Sequence, residues 1–130
     1  MLDAINTTCL FCSLDKKRHI LANDEAYAIF DSYPISPGHS LIIPKRHISS
    51  FFDATREEQI ALLDLVNEMQ QVLINERNPD GFNVGINVGE AAGQTVMHLH
   101  IHLIPRYAGD QPDPRGGVRW IFPDKAAYWK

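Results

Sequence analysis

Three histidines alternate with apolar residues in one short stretch of the sequence, His98-Leu99-His100-Ile101-His102-Leu103-Ile104. On a β-strand, successive side chains point to opposite faces of the sheet, so the three imidazoles would share one face and the apolar side chains the other. Neighbouring rings would then lie roughly 6.6 Å apart along the strand. Folding alone has no need for three imidazoles on one face. The pattern therefore predicts a strand from Val96 to Ile104 that carries a reactive or ligating surface.

The composition is that of a globular protein. The chain has 130 residues, of which 45% are hydrophobic, enough to bury a core and too many for a disordered chain. Its formal net charge of -4 is opposite in sign to that of most proteins that bind a nucleic-acid backbone. We therefore expect no nucleic-acid polymer as a partner, whereas a small anionic ligand stays compatible with a locally positive site.

The N-terminal residues and the distribution of apolar residues bear on location. No apolar run approaches the ~20 residues that a membrane-spanning helix needs, and the first residues lack the pattern of a secretory signal. These features predict a cytoplasmic protein with no membrane partner, in which thiols stay reduced.

The order of predicted elements is typical of an α+β domain with an antiparallel sheet. The clearest helix runs from Thr55 to about Arg77, with capping-box spacing at its start and the turn residues Asn78-Pro79-Asp80-Gly81 at its end. We expect a single domain over residues 1–130, with 110–130 as a C-terminal extension. Besides the histidine strand, β-prone runs predict strands at 26–30, 40–43 and 82–88.

The residues alone leave three interpretations of the histidine stretch. A solvated strand face is disfavoured by the unbroken apolar partners on the other face. A metal-dependent oxygenase or hydrolase could use all three rings as ligands, but parallel rings on one strand converge poorly on one ion. A neutral imidazole can instead act as a nucleophile toward phosphorus, while its neighbours carry charge or a proton toward the phosphate.

Two longer stretches carry a resemblance to a known family. Residues 94–106, Gln-Thr-Val-Met-His-Leu-His-Ile-His-Leu-Ile-Pro-Arg, resemble the signature of the histidine-triad (HIT) superfamily, and residues 37–47 resemble its upstream motif. With Cys9 to Phe11 and Asp31, the similarity extends roughly over residues 9–109. The resemblance implies the HIT-like α+β fold, with an antiparallel sheet of about five strands, one long helix and a short helix. It also implies a homodimer.

The resemblance further implies which residues act on a purine nucleotide. His100 would attack the α-phosphorus and form a nucleotidyl-histidine intermediate, and His102 would contact the phosphate. His39 corresponds to a family histidine that lies beside the active strand. The nucleotide would also be bound by residues that meet its ribose, its phosphate or its base, namely Asp31, Asn87, Gln94, Thr95, Phe11 and Ile29.

The third histidine bears on the type of reaction. The nucleotidyl-transferase branch of the superfamily usually has Gln at this position, so His102 favours a hydrolase in which water accepts the nucleotidyl group. The residues after the triad, 105–110, resemble those of relatives that split dinucleoside polyphosphates. Hydrolysis of nucleoside phosphoramidates is the alternative activity, and a nucleotide-binding protein with little turnover is the alternative outside enzymes.

The only two cysteines, Cys9 and Cys12, have the spacing of a zinc-ligand pair. A redox pair would be expected at a strand-to-helix junction rather than so close to the start of the chain. Several bacterial-type HIT proteins begin with a similar Cys-x-Phe-Cys element and hold zinc through residues that correspond here to Cys9, Cys12, His47 and His98. The resemblance thus implies a structural zinc ion without an open position for water, and it removes His98 from acid–base chemistry.

Overall fold

Five antiparallel strands form one sheet in the computed structural model, which describes residues 9–130. The strands are β1 (Leu21–Ala22), β2 (Ala26–Phe30), β3 (Ser40–Pro44), β4 (Gly81–Ile86) and β5 (Ile101–Arg106). Their order across the sheet is β1-β2-β3-β5-β4, so β5 lies between β3 and β4 and pairs with both. The predicted antiparallel sheet of an α+β domain is confirmed, although the two-residue β1 was not predicted.

The long helix α1 (Arg56–Arg77) begins and ends where the sequence predicts. The hydroxyl of Thr55 accepts a hydrogen bond from the Glu58 N–H, and the Glu58 carboxylate accepts one from the Thr55 N–H, which completes the capping box. Asn78 ends the helix in the left-handed conformation with φ 47°. The described C-terminal part adds a single-turn helix, α2 (Pro123–Ala126). None of the described helices is long and apolar enough to cross a membrane.

The sheet separates two apolar clusters because alternate residues of β2 and β3 point to opposite faces. On one face, Ala28 and Ile42 pack with the buried side of α1. On the other face, Ile29, Leu41 and neighbouring side chains pack with Cys9 and Phe11 from the N-terminal segment. The face without the helix is therefore covered in part by a short stretch of chain, and this is the face of the functional site.

The histidine stretch differs from its prediction in where the strand begins. β5 begins at Ile101, so His98 and His100 precede it and only His102 lies within it. Neither β3 nor β4 pairs with residues before Ile101, and the Leu99 N–H donates to the Ile48 carbonyl instead of to a strand. The predicted alternation of faces is nevertheless confirmed on the apolar side, since Leu99, Ile101 and Leu103 are all buried in the helix-side cluster.

Candidate functional site

A cavity of about 370 Å³ opens on the sheet face opposite α1. Its volume is within the range of small-molecule sites, roughly 300 to 1,000 Å³. Apolar side chains of the N-terminal segment and of β2 and β3 line one part, and polar groups of the loop before β5 and of β5 line another. Of the residues predicted to be functional, those that line the cavity are Phe11, Ile29, Asp31, Asn87, Thr95, His100 and His102.

His100 is held in one tautomer by the backbone. Its Nδ1 lies 2.8 Å from the carbonyl oxygen of His98. A carbonyl only accepts hydrogen bonds, so Nδ1 carries the proton and Nε2 keeps its lone pair. Phe11 packs edge-on against the ring, with 5.2 Å between ring centroids. In this tautomer, Nε2 is the nitrogen that offers a lone pair to a molecule in the cavity, as nucleophilic attack requires.

A chain of hydrogen bonds sets the tautomer of His102. The Ile35 N–H donates to Nδ1 of His39 at 3.2 Å, which places the His39 proton on Nε2. That Nε2–H faces Nδ1 of His102 at 2.9 Å, so the proton of His102 lies on its own Nε2. The buried His39 does not line the cavity itself, but through this chain it makes His102 a hydrogen-bond donor.

Burial keeps the imidazole rings of His39 and His102 uncharged. The pKa of His102 is lowered to about 4, chiefly by burial and also by the neighbouring His100 and His39, against an opposing effect of Asp31. Burial also lowers the pKa of His39, partly offset by the Asp31 carboxylate, which lies 3.5 Å from its Nε2. Both rings are therefore neutral near pH 7, and the donor that His102 offers is a neutral N–H.

Gln94 lies beside the cavity but its side chain points into the protein. Its amide nitrogen donates to the carbonyls of Ser49 at 2.8 Å and Val96 at 3.2 Å, and its amide oxygen accepts from the Gly89 N–H at 2.9 Å. A primary amide has two N–H groups, so both are used. The structure thus places Gln94 as a brace of the loop before β5, with no N–H left over for a phosphate.

A second cluster joins Cys9, Cys12, His47 and His98, whose ligand atoms all lie within 4.8 Å of one another. Nδ1 of His98 lies 3.4 Å from Sγ of Cys9 and 3.5 Å from Sγ of Cys12. Nδ1 of His47 lies 3.1 Å from Sγ of Cys12 and 3.2 Å from Nδ1 of His98. The ligand–ligand edges of a tetrahedral zinc site with these atom types are roughly 3.3–3.8 Å, so the cluster has nearly the required dimensions.

The chemistry of this cluster also fits a zinc ion. The buried His98 donates from Nε2 to the Pro44 carbonyl at 2.7 Å, which leaves the lone pair on Nδ1, the atom that faces the sulfurs. Cys9 and Cys12 are not joined in a disulfide. A donor set of two sulfurs and two imidazole nitrogens favours zinc over hard cations. The predicted set of four residues is thus brought together by the fold.

The same tautomers argue against metal binding by the three histidines of the stretch. Nδ1 of His98 faces the cysteines, Nδ1 of His100 faces a carbonyl, and Nδ1 of His102 faces His39. The three rings do not converge on one point. Asp31, His39 and His102 also lie within ligand distance of one another, but the Ile35 N–H keeps a proton on the His39 nitrogen that an ion would need.

Comparison with known proteins identifies the family. Residues 15–109 match the family model of the HIT domain. The chain belongs to the HIT-domain family. An AP-4-A phosphorylase from Mycobacterium tuberculosis is 40% identical over 85 residues, which are 65% of this chain and 44% of that protein.

Solved structures of HIT proteins are similar to the chain, and two of them bear on the site. A Zn-bound histidine triad family protein from Mycobacterium smegmatis is 31% identical, with a TM-score of 0.72, and the match covers 82% of this chain and 84% of that one. A diadenosine triphosphate hydrolase from Plasmodium falciparum, solved in complex with cyclomarin A, is 34% identical with a TM-score of 0.72 and coverages of 75% and 66%. The five-stranded sheet with its one long helix is thus the HIT fold.

The HIT cavity also includes residues that the sequence analysis missed. Leu41 lies opposite Ile29 in the register of β2 and β3, so a correct register would have found it. Arg18 lines the cavity while its guanidinium donates to the Phe30 carbonyl at 3.1 Å and the Ser32 hydroxyl at 3.0 Å. No local pattern distinguishes Arg18 from the two lysines before it, because its placement depends on contacts with β2.

Proposed function

We propose that this HIT domain is a nucleotide hydrolase that cleaves at the α-phosphate of a dinucleoside polyphosphate or a similar nucleotide. The observation that carries the proposal is the hydrogen bond from Nδ1 of His100 to the His98 carbonyl, which leaves Nε2 unprotonated beside the cavity. Relatives named for AP-4-A phosphorylase and diadenosine triphosphate hydrolase activity support the substrate class.

The reaction proceeds in two displacements on phosphorus. Nε2 of His100 attacks the α-phosphorus, the N–P bond forms, and the P–O bond to the leaving phosphate chain breaks with its electron pair on that chain. Water then attacks the same phosphorus, the N–P bond breaks, and its electron pair returns to Nε2. The attacking water gives up one proton to solvent. The products are a nucleoside monophosphate and the remaining nucleotide or phosphate.

Two neutral groups stabilise the charge that develops. The His98 carbonyl accepts from Nδ1–H of His100, so it favours the positive charge that the ring acquires when Nε2 binds phosphorus. Nε2–H of His102 donates toward the phosphate oxygens, where negative charge accumulates. Because His39 holds the proton of His102 on that nitrogen, His39 is a positioning residue for the reaction.

The rest of the cavity suits a purine nucleoside. Phe11, Ile29 and Leu41 form an apolar wall that a base can pack against. The Asp31 carboxylate is a good acceptor for ribose hydroxyls, and its Oδ1 is itself held by the Tyr33 N–H at 2.9 Å. Asn87 and Thr95 line the polar part of the cavity with the histidines, where they can contact phosphate oxygens.

We also propose that zinc is held by Cys9, Cys12, His47 and His98, with a structural role. These four residues would fill all four positions of a tetrahedral ion, so the ion would cross-link the chain and would activate no water.

The homodimer, the cytoplasmic location and the single domain over residues 1–130 stay predictions. β4 is an edge strand of the described sheet, and its outer backbone groups could pair with those of a second copy. Light scattering coupled to size-exclusion chromatography measures the mass, and a monomer at micromolar concentration would contradict the dimer.

The decisive experiment traps the intermediate. The protein is mixed with diadenosine tetraphosphate, diadenosine triphosphate or adenosine 5′-phosphoramidate, quenched within milliseconds and analysed by mass spectrometry. We expect an adenylyl group on His100 and a loss of kcat of about 10³-fold or more in His100→Asn. The ranking of the three substrates separates anhydride from phosphoramidate hydrolysis. Binding without turnover above the His100→Asn level would make the protein a nucleotide-binding module and refute the enzyme.

The same reactions test which molecule, water or inorganic phosphate, accepts the nucleotidyl group from His100. The similarity to an AP-4-A phosphorylase makes inorganic phosphate the second candidate for the acceptor. Reactions in ¹⁸O-labelled water with added phosphate distinguish the two. Label in the nucleoside monophosphate supports water, whereas an unlabelled nucleoside diphosphate that appears only with phosphate refutes hydrolysis.

A further inference from the structure

One short segment at the start of the described chain contributes residues to both the cavity and the metal cluster. Within residues 9–14, Cys9 and Cys12 face the two histidines of the metal cluster. Leu10, Phe11 and Leu14 of the same segment line the cavity. Part of the apolar cavity wall and half of the metal ligands are therefore on the same few residues.

This segment packs on the sheet without being part of it. It forms turns, and the Ser13 N–H and hydroxyl bond back to the Cys9 carbonyl within the segment. Contacts with the body include the hydrogen bond from the Tyr27 hydroxyl to the Phe11 carbonyl at 2.8 Å and the burial of the Phe11 ring. A stretch held by side chains rather than by a strand ladder is of the kind that opens locally before the core unfolds.

The other half of the metal cluster belongs to the body of the domain. His47 follows β3, and the fully buried His98 lies before β5 and is bonded to Pro44 of β3. An ion bound by all four residues would therefore tie the segment to the sheet. Phe11 lies between the two sites, with ring centroids 5.8 Å from His98 and 5.2 Å from His100. The docked position of the segment completes the ligand set and the cavity wall together.

We propose that metal occupancy of the Cys9, Cys12, His47 and His98 site sets the nucleotide affinity of the cavity, because both ligands require the docked segment. The identity of the ligand as a nucleotide rests on the proposed function. Each ligand shifts the docking equilibrium toward the conformation that the other binds. Linkage makes the effect reciprocal: the factor by which the metal tightens nucleotide binding equals the factor by which the nucleotide tightens metal binding.

The coupling is measured with adenosine 5′-monophosphate and Zn²⁺ as probes on the full chain. Calorimetry measures the affinity for the nucleotide in zinc-loaded and in chelator-treated protein. Competition with a chromophoric chelator measures the zinc affinity with and without saturating nucleotide. We expect the nucleotide to bind about tenfold more weakly without zinc, and zinc to bind more weakly by the same factor without nucleotide.

Two wall variants form a matched pair, because each removes an apolar side chain from a different side of the cavity. Leu41→Ala alters the wall on β3, so it should weaken nucleotide binding equally with and without zinc. Phe11→Ala alters the wall on the segment, so it should reduce the coupling factor toward one. Equal coupling in the two variants would overturn the proposal.

Hydrogen exchange distinguishes local release from unfolding. After zinc removal, amides of residues 9–14 should lose protection while those of β3 and β5 keep it, and loss of protection throughout the sheet would overturn the proposal. Equal nucleotide affinity in the two metal states would also overturn it, but the proposed function would stand. No nucleotide binding by the zinc-loaded protein would overturn both.

Discussion

Replacing His102 with Gln removes a ring whose protonation the fold resists, so it should change how stability depends on pH. The folded chain binds a proton at His102 with a pKa of about 4, whereas the unfolded chain binds it near 6.5. As the pH falls from 7 toward 4, proton uptake by the unfolded chain alone favours unfolding. The difference between the two pKa values corresponds to about 3 kcal/mol of stability that is present above pH 6.5 and lost by pH 4.

The assay is denaturant unfolding of the wild-type protein and His102→Gln at several pH values from 8 to 4.5, with zinc and ionic strength held constant. Protonation of the metal ligands destabilises both proteins, so the informative quantity is the difference between their free energies of unfolding. That difference should shift by about 2–3 kcal/mol in favour of the variant as the pH falls. A difference that is constant over this range, or that shifts the other way, would refute a neutral His102 held by burial.

Three further predictions concern the elements that position the site. Gln94→Ala removes the brace between residues 49, 89 and 96, and should lower kcat/KM by about tenfold with little loss of global stability; an unchanged kcat/KM would contradict the role as brace. Gly38→Ala should lower the free energy of unfolding by about 2 kcal/mol in chemical denaturation, because φ is +89° and an added Cβ would lie 2.8 Å from Leu73 Cδ2. A neutral result would mean that the backbone before His39 relaxes freely. Thr55→Ala should cost about 1 kcal/mol in the same assay because the Glu58 N–H loses its acceptor, the Thr55 hydroxyl, whereas Thr55→Ser should recover most of it.

Predictions made from local patterns agree closely with the structure. The capping-box spacing at Thr55 and the turn residues after Arg77 placed α1 to within one residue, because caps and helix periodicity depend on neighbours in sequence. The alternation around Leu99 and Ile101 identified the buried face for the same reason. The spacing of Cys9 and Cys12 predicts a pair of metal ligands, and the fold brings two histidines to the same place.

Predictions that needed distant partners were less complete. The histidine strand begins at Ile101 rather than Val96, because its extent depends on where β3 and β4 stop pairing with it. The inward orientation of Gln94 follows from carbonyls as far away as Ser49, 45 residues earlier. Neither the placement of Arg18 in the cavity nor the brace at Gln94 has a local signature, since each depends on backbone atoms from a distant part of the chain, the Phe30 carbonyl for Arg18 and the Ser49 carbonyl for Gln94.

The residue types that can attack phosphorus and ligate zinc follow from composition and spacing along the chain, and the long helix and the buried apolar faces follow from its periodicity. The protonation of the rings does not. His39 and His102 are 63 residues apart and Cys9 and His98 are 89 apart, yet they meet at 2.9 and 3.4 Å. A ring nitrogen donates or accepts according to the partner that faces it. The tertiary structure therefore sets the position of each proton through backbone groups, which include the carbonyls of His98 and Pro44 and the N–H of Ile35.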